Sequence, residues 1–89
     1  MWKGKEKMRL EKVQETLTEK KIEFDYVEED GLGSIDFQYR GLAYHVWEFA
    51  DEDGMPCGAE TNLFHAGRSE DIEGDYEQVI IDELNKDFN

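Results

Sequence analysis

Three short runs of alternating apolar and polar side chains between residues 22 and 47 constrain the fold more than any other feature. The runs are separated by two glycine-containing pairs, Asp30-Gly31 and Arg40-Gly41. Alternation is typical of strands that bury one face, and Asp-Gly is a strong signal for a two-residue hairpin turn. The sequence therefore predicts three antiparallel strands joined by two tight turns.

The two predicted turns set the register of the strands independently, and the two registers agree. Together they give three cross-strand rows, which are Tyr26–Ile35–Val46, Phe24–Phe37–Tyr44 and Ile22–Tyr39–Leu42. These nine apolar residues then all lie on one face of the sheet. Because a slip of one residue would move a whole strand's apolar set to the other face, this agreement supports the register.

Apolar residues at helical spacing flank the strands and predict helices over residues 4–20 and 75–87. Asp75 suits the N-cap of the second helix. The predicted fold class is α+β in the order α-β-β-β-α. It is a three-stranded antiparallel meander with two helices packed on its apolar face, forming one domain over residues 1–89.

Residues 50–72 show no clear periodicity and contain the only proline, Pro56. A structureless loop of this length is uncommon in a compact domain, so the segment is either functional or contains a hidden element. Trp47 and Phe49 fall on the polar face of the predicted sheet. Because tryptophan is more often buried than presented, we expect the 50–72 segment to fold over them and form a second small core. The alternative is a binding surface made of exposed aromatic residues beside acids.

The charge of the chain is strongly negative and unevenly distributed. The formal net charge is −13, yet residues 1–21 hold seven basic and four acidic residues. The acidic remainder should repel nucleic acid and anionic membranes and attract basic partners. With one cysteine, Cys57, no intramolecular disulfide is possible, and the absence of a signal-peptide pattern predicts a cytoplasmic location.

The polar face carries a row that combines two acids and one histidine. The predicted register places Asp25 opposite Asp36, and Asp36 opposite His45. Like charges that face each other destabilise a sheet, so a compensating group is expected. A divalent metal held by these three residues is one interpretation, and an exposed face with no metal is the other.

Two acidic clusters, over residues 51–53 and 70–77, dominate the second half of the chain. Solubility is the usual reason for such clusters, but their density also favours docking of a basic protein. The residues predicted to contact that partner are Asp51, Glu52, Asp53, Glu70, Asp71, Glu73 and Trp47. The leading hypothesis is a non-catalytic adaptor or inhibitor that binds a basic protein surface, in one version by imitating nucleic acid.

Catalysis and cofactor binding have little support in the sequence, and no cofactor is predicted. Cys57 has acidic neighbours, which should raise the pKa of the thiol and make it a poorer nucleophile. Gly31-Leu32-Gly33 lacks the third glycine and the helix of a dinucleotide loop. The alternative to the adaptor hypothesis is a metal-binding domain or metal-dependent enzyme built on the row of acids and histidine.

The predicted order of elements is similar to the topology of double-stranded-RNA-binding domains. That similarity would imply RNA binding, but those domains need basic residues that face two minor grooves. Beyond the N-cap Asp75, the second predicted helix has Lys86 as its only base among four acids, Glu77, Asp82, Glu83 and Asp87. Direct nucleic-acid binding is therefore not expected. Self-association of the basic N-terminal region with the acidic remainder of another copy stays an open alternative, and the sequence does not predict the oligomeric state.

Overall fold

A computed structural model describes residues 9–65 and 68–87 as one sheet with two helices. The elements are α1 (Glu11–Glu19), β1 (Phe24–Glu29), β2 (Leu32–Tyr39), β3 (Leu42–Ala50), β4 (Pro56–His65), β5 (Arg68–Glu73) and α2 (Tyr76–Asp87). The sheet is antiparallel in the order β1-β2-β3-β4-β5. The α+β class is confirmed, but the three-stranded meander is wrong because the segment without clear periodicity contributes two more strands, β4 and β5. Residues 4–8 of the first predicted helix lie outside the described residues.

The two predicted hairpins form with the predicted registers. Phe24 pairs with Phe37 and Tyr26 with Ile35 across the first hairpin. The second hairpin pairs Ile35 with Val46 and continues the same rows into β3. Both central residues of each turn have positive φ, as a type I′ turn requires. Ile22 is the exception to the predicted rows, because β1 begins at Phe24.

Strands β4 and β5 have only a weak sequence signal, which left residues 61–65 open between a short strand and an ordered loop, because their alternation uses small or charged side chains. In β4 the residues on the helix side include Ala59, Thr61 and Leu63, which are buried, but only Leu63 is large. Pro56 pairs with Ala50 beside a register shift, at the first residue of its strand, where a missing N–H is tolerated. β5 has one apolar residue and lies at the sheet edge, where charged side chains protect against unwanted pairing. The resemblance to an RNA-binding topology therefore ends at the third strand.

The apolar core lies between one face of the sheet and the two helices. Its members come from α1, β2, β3, β4, α2 and the segments flanking α1, and they are Leu10, Val13, Leu17, Ile22, Ile35, Phe37, Val46, Ala59, Leu63, Ile80 and Leu84. Burying one such aliphatic side chain contributes about 1.5–3 kcal/mol. This core explains why both helices occupy the same side of the sheet, as the sequence predicted. None of the described helices is long and apolar enough to cross a membrane.

The N-terminus of α1 receives its cap from another helix. The N-cap residue, Leu10, has a left-handed backbone and makes no side-chain cap bond. Instead, Glu77 in the first turn of α2 accepts hydrogen bonds from the N–H groups of Lys12 (2.7 Å) and Val13 (3.2 Å). A carboxylate at this position satisfies free amides and complements the helix dipole. Glu77 thereby couples the two helices.

We expect the Glu77→Ala variant to lose about 1 kcal/mol of stability, the usual cost of removing an N-cap acceptor. Urea unfolding at neutral pH measures the loss. Asp82→Ala on the exposed side of the same helix removes the same charge without touching α1 and is the matched control. Equal destabilisation in both variants would contradict the capping role.

Candidate functional site

The second face of the sheet points away from both helices, and we call it the open face. By the pairing register it carries alternate residues from all five strands. Its carboxylates are Asp25, Glu29, Asp36, Glu60, Asp71 and Glu73. No lysine or arginine occupies an open-face position in the described strands, and His45 is the one basic side chain there. The open face is therefore a broad anionic surface.

Trp47 lies on the central strand of the open face and is partly exposed. Its side of β3 faces solvent, and the residue is 41% exposed. The ring stacks on His45, two positions earlier in the strand, with 4.1 Å between ring centroids. Its indole Nε1 donates a hydrogen bond of 3.1 Å to Asp36 Oδ1 on β2. One edge of the indole is thus fixed by polar contacts while part of the ring remains accessible.

The expectation that residues 50–72 cover Trp47 is wrong. Residues 51–55 form a tight turn between β3 and β4, and strands β4 and β5 extend the sheet beside Trp47. A strand added in the plane of a sheet lengthens the face but does not cover it. Val27, in the same transverse row of the open face, is 54% exposed. The open face therefore presents apolar side chains among its acids.

Two pairs of carboxylates oppose each other across neighbouring strands of the open face. Asp25 pairs with Asp36 between β1 and β2, and Glu60 pairs with Asp71 between β4 and β5. Like charges in directly opposed positions destabilise a sheet by roughly 0.2–1 kcal/mol. Folding alone therefore does not favour these two pairs of carboxylates.

His45 lies between the two carboxylate pairs and is held by strands β4 and β5. Its Nε2 is 3.1 Å from Ser69 Oγ and 3.7 Å from the carboxylate of Glu60. The backbone N–H of His45 also donates to Asn62 Oδ1 at 3.0 Å. Ser69 and Glu60 therefore both approach Nε2 of His45. In a Ser-His-acid triad the serine and the acid contact different ring nitrogens. The arrangement fixes the imidazole and gives no sign of a nucleophile.

The predicted row of Asp25, Asp36 and His45 exists in the predicted register. Two of its three side chains have other partners, because Asp36 accepts from the indole and His45 contacts Ser69. Within residues 9–65 and 68–87, no group of three histidine, cysteine or acidic side chains is placed to hold a metal ion. Hydrogen bonding to neighbouring side chains thus supplies the compensation that the opposed acids require. The arrangement gives the metal hypothesis no support.

The predicted partner-binding residues divide among the open face, the helix side and one end of the sheet. Asp71 and Glu73 lie on the open face, in register with Glu60 and Gly58 of β4. Glu70 pairs with Thr61 and so belongs to the helix-side row, where its carboxylate is 3.7 Å from His65. The three acids of the β3–β4 turn occupy the end of the sheet, and they are Asp51, Glu52 and Asp53.

Asp51 has a structural role within that turn. Its carboxylate accepts hydrogen bonds from the N–H groups of Asp53 (2.9 Å) and Met55 (3.0 Å). Such bonds replace backbone pairing where the chain reverses. Glu52 and Asp53 have exposed side chains at this turn and remain available to a partner.

A polar network on the helix side of the sheet was missed by sequence reasoning. Its centre is Glu48, whose side chain is 1% exposed and forms a two-pronged ion pair with Arg9 at 2.8 and 3.0 Å. Glu48 also accepts from the hydroxyl of Tyr76 and, at 2.8 Å, from the N–H of Gly33. The hydroxyl of Tyr26 joins the network by accepting a hydrogen bond of 2.8 Å from the backbone N–H of Arg9. The sequence did contain one indication: Glu48 lies two residues after Val46 in the same strand, so its side chain points to the same, buried face.

The network shifts the pKa values of its members. Burial opposes ionisation of Glu48, but hydrogen bonds from Arg9, Tyr76 and Gly33 outweigh it and lower the pKa of the carboxyl. Burial, and then the neighbouring Glu48, raise the pKa of Tyr76 to about 12. Every ionisable partner is therefore held in one protonation state near neutral pH. The network fastens α2 and the segment before α1 to the sheet, and we assign it a structural role.

Cys57 lies at the start of β4, beside the register shift. Desolvation, followed by the charges of Asp51 and Glu73, raises the pKa of its thiol. A raised pKa lowers the thiolate fraction at neutral pH, which agrees with the expectation of a poor nucleophile.

Comparison with known proteins identifies no relative of this chain. No family model matches it, and neither the curated proteins nor the solved structures contain a match. Its class is therefore defined by its own architecture, a five-stranded antiparallel meander with two helices on one face and an acidic, tryptophan-bearing open face.

Proposed function

We propose that this protein is a non-catalytic adaptor or inhibitor whose open face docks a basic protein surface. The observation that carries the proposal is the placement of a partly exposed Trp47 at the centre of a face rich in carboxylates and without lysine or arginine. Tryptophan and arginine are enriched where protein partners bind most strongly. An arginine of the partner can stack on the indole while nearby carboxylates neutralise its charge.

The flanking acids extend the docking surface in two directions from Trp47. Glu60 and Asp71 continue its transverse row across β4 and β5, and Glu73 follows along β5. Glu52 and Asp53 of the β3–β4 turn add charge at the end of the sheet. A surface of this sign attracts cationic proteins over distances of about 8–10 Å at physiological salt. The same charge supports the more specific form of the proposal, competition with nucleic acid for a basic partner.

The proposal is tested by measuring the affinity of the chain for an arginine-rich peptide. We expect Trp47→Ala to weaken binding about tenfold or more, because truncating a central aromatic at an interface often costs more than 1–2 kcal/mol. Glu60→Gln should weaken binding about threefold, since an exposed ion pair contributes up to about 1 kcal/mol. Titration calorimetry measures the affinity of every variant, including Trp47→Ala. In the variants that keep Trp47, fluorescence titration also reports binding at this residue when Trp2 is replaced by phenylalanine.

Stability provides an independent readout of the same site. Glu60→Gln removes one of two opposed charges, so it should stabilise the fold by a few tenths of a kcal/mol while it weakens binding. Asp82→Asn on α2 removes one exposed charge on the helix side and is the matched control, with binding changed less than twofold. Equal weakening by Glu60→Gln and Asp82→Asn would contradict docking at the open face. Binding that is unaffected by raising salt from 50 to 500 mM would contradict a basic partner.

A further inference from the structure

We infer that a second surface, the outer edge of β1 with the groove between β1 and α1, binds an extended basic segment of another protein as a sixth strand. This surface lies at the β1 margin, is lined largely by α1 and does not include Trp47. It goes beyond the docking function proposed for the open face. Addition of a strand to a sheet edge is a recurring mode of peptide recognition, in which backbone pairing gives affinity and side-chain pockets give specificity.

The edge of β1 offers backbone groups for such pairing. Among the described residues β1 pairs on one side only, with β2. The type I′ turn closes on the pair Glu29–Leu32, which exchanges both hydrogen bonds, so bonded and non-bonded pairs alternate from there. The outward backbone groups therefore belong to Phe24, Tyr26 and Glu28. Their side chains point to the helix side, so a sixth strand paired with them would direct alternate side chains toward α1.

A groove lies between the edge strand and α1, where those side chains would arrive. It has a volume of about 370 Å³ and is lined by Glu11, Gln14, Glu15, Thr18, Glu19 and Phe24. The ring of Phe24 is half-buried and provides an apolar floor. Helix α1 lies alongside β1 and runs in the opposite direction. At one end the backbone N–H of Arg9 donates to the hydroxyl of Tyr26, and at the other end residues 20–23 connect the helix to Phe24.

The spacing of the carboxylates in the groove matches the repeat of a strand. Glu11, Glu15 and Glu19 occupy successive i,i+4 positions on α1. Like charges at this spacing destabilise an isolated helix. Residues four apart in a helix are separated by about 6 Å along its axis. Side chains on one face of a strand repeat every 6.4–6.8 Å, or about the same distance. Alternate lysines or arginines of a paired strand can therefore each meet one glutamate.

Charge selects the occupant of the groove. Besides the helical row, the segment from residue 23 to residue 29 carries four acids, Glu23, Asp25, Glu28 and Glu29. Edge-to-edge pairing of two copies would bring these acids together, so a second copy is disfavoured. Nucleic acid would meet the same repulsion. Lys20 and Lys21 lie at the Ile22 end of the edge, so the basic side chains of the partner are confined to the stretch beside Glu11–Glu19.

The periodicity of the partner is tested with two peptides of identical composition. Lys-Thr-Lys-Thr-Lys-Thr-Lys places its charges on one face of a strand, whereas Lys-Lys-Lys-Lys-Thr-Thr-Thr does not. We expect the alternating peptide to bind at least about fivefold more tightly and to shift the amide NMR signals of Phe24, Tyr26 and Glu28 most. Equal affinity of the two peptides would overturn the inference, because a diffuse acidic surface reads charge and not spacing.

Variants separate the groove from general acidity. Glu15→Lys, and the milder Glu15→Gln, should weaken binding of the alternating peptide by about tenfold and threefold, since an exposed pair contributes up to about 1 kcal/mol. Asp82→Lys makes the same charge reversal on α2 and should change binding less than twofold. Thermal unfolding confirms that each variant is folded. A loss of affinity as large for Asp82→Lys as for Glu15→Lys contradicts binding in the groove.

Backbone pairing has its own test at Glu28, whose N–H points outward. Glu28→Pro removes that donor, which an edge strand tolerates, whereas Glu28→Gln removes only the charge. We expect the proline variant to bind the alternating peptide at least about threefold more weakly than the glutamine variant. If Trp47→Ala abolishes binding of this peptide while Glu15→Lys and Glu28→Pro do not affect it, the groove inference fails and docking on the open face stands. If Glu15→Lys and Glu28→Pro weaken binding of this peptide while Trp47→Ala does not, the peptide binds in the groove and not on the open face.

Discussion

The Glu48→Ala variant is expected to lose about 3 kcal/mol of stability, because several donors lose a common acceptor in a nearly dry site. The hydroxyl of Tyr76 and the N–H of Gly33 would remain without that acceptor on the helix side of the sheet. Arg9 is 36% exposed at its side chain and can hydrate in part, so the loss stays below that of a fully buried ion pair. Urea unfolding of the variant and of Glu52→Ala, an exposed turn residue, measures the difference.

Acid unfolding provides a check that depends on the charge of Glu48. The folded-state pKa of Glu48 lies below its ordinary value of 4.5, so its ionised form contributes stability above that pH. That contribution is lost as the pH falls through the folded-state pKa. The stability difference between the native chain and Glu48→Gln should therefore shrink below about pH 4.5. A difference that stays constant from pH 7 to pH 3 would show that the carboxylate has no special role.

The second large effect is expected at Gly58, where the sheet has no room for a side chain. A Cβ placed on Gly58 would lie 2.5 Å from Cζ of Phe49 and 2.6 Å from the carbonyl oxygen of Ile72. The ring of Phe49 can rotate away, but the carbonyl belongs to the backbone of β5. We expect Gly58→Ala to cost about 2 kcal/mol by overpacking, although glycine-to-alanine changes without strain stabilise proteins.

A double-mutant cycle with Phe49 divides this cost between the ring and the backbone. Phe49→Ala removes the aromatic contact, so the double variant should lose less stability than the two single variants together. Part of the cost must persist, because the contact with Ile72 remains. Additive effects would mean that Phe49 does not pack on Gly58. A Gly58→Ala variant as stable as the native chain would contradict the close approach of β4 and β5.

Loss of binding and loss of stability map to different sides of the sheet. Trp47 and Glu60 lie on the open face, where changes should act mainly on a partner. Glu48 and Glu77 lie among the helices, where changes should act mainly on folding. Both sides contain carboxylates, so acidity by itself does not identify a functional residue. The surroundings do: a carboxylate that accepts several internal hydrogen bonds holds the fold, whereas one that opposes another carboxylate gains no stability from that neighbour.

The sequence by itself determined the part of the fold that depends on neighbouring residues. Large side chains alternating around two turn signals define β1, β2, β3 and their register, because turn length and the two-residue repeat leave one arrangement that places the alternating apolar rows on the same face. The row of Asp25, Asp36 and His45 followed from the same rule. The acidic character of the chain is likewise readable from composition, and with it the class of partner proposed.

The tertiary structure alone decided which of these features are buried, exposed or joined. β4 and β5 depend on pairing with a sheet that already exists, and their small or charged side chains give little local signal. The burial of Glu48 depends on Arg9, which is distant in the sequence and reaches it only after folding. Trp47 is exposed because the segment expected to cover it lies beside it in the sheet. Long-range strand pairing, which no local pattern encodes, thus placed Trp47 on the open face and not in a second small core.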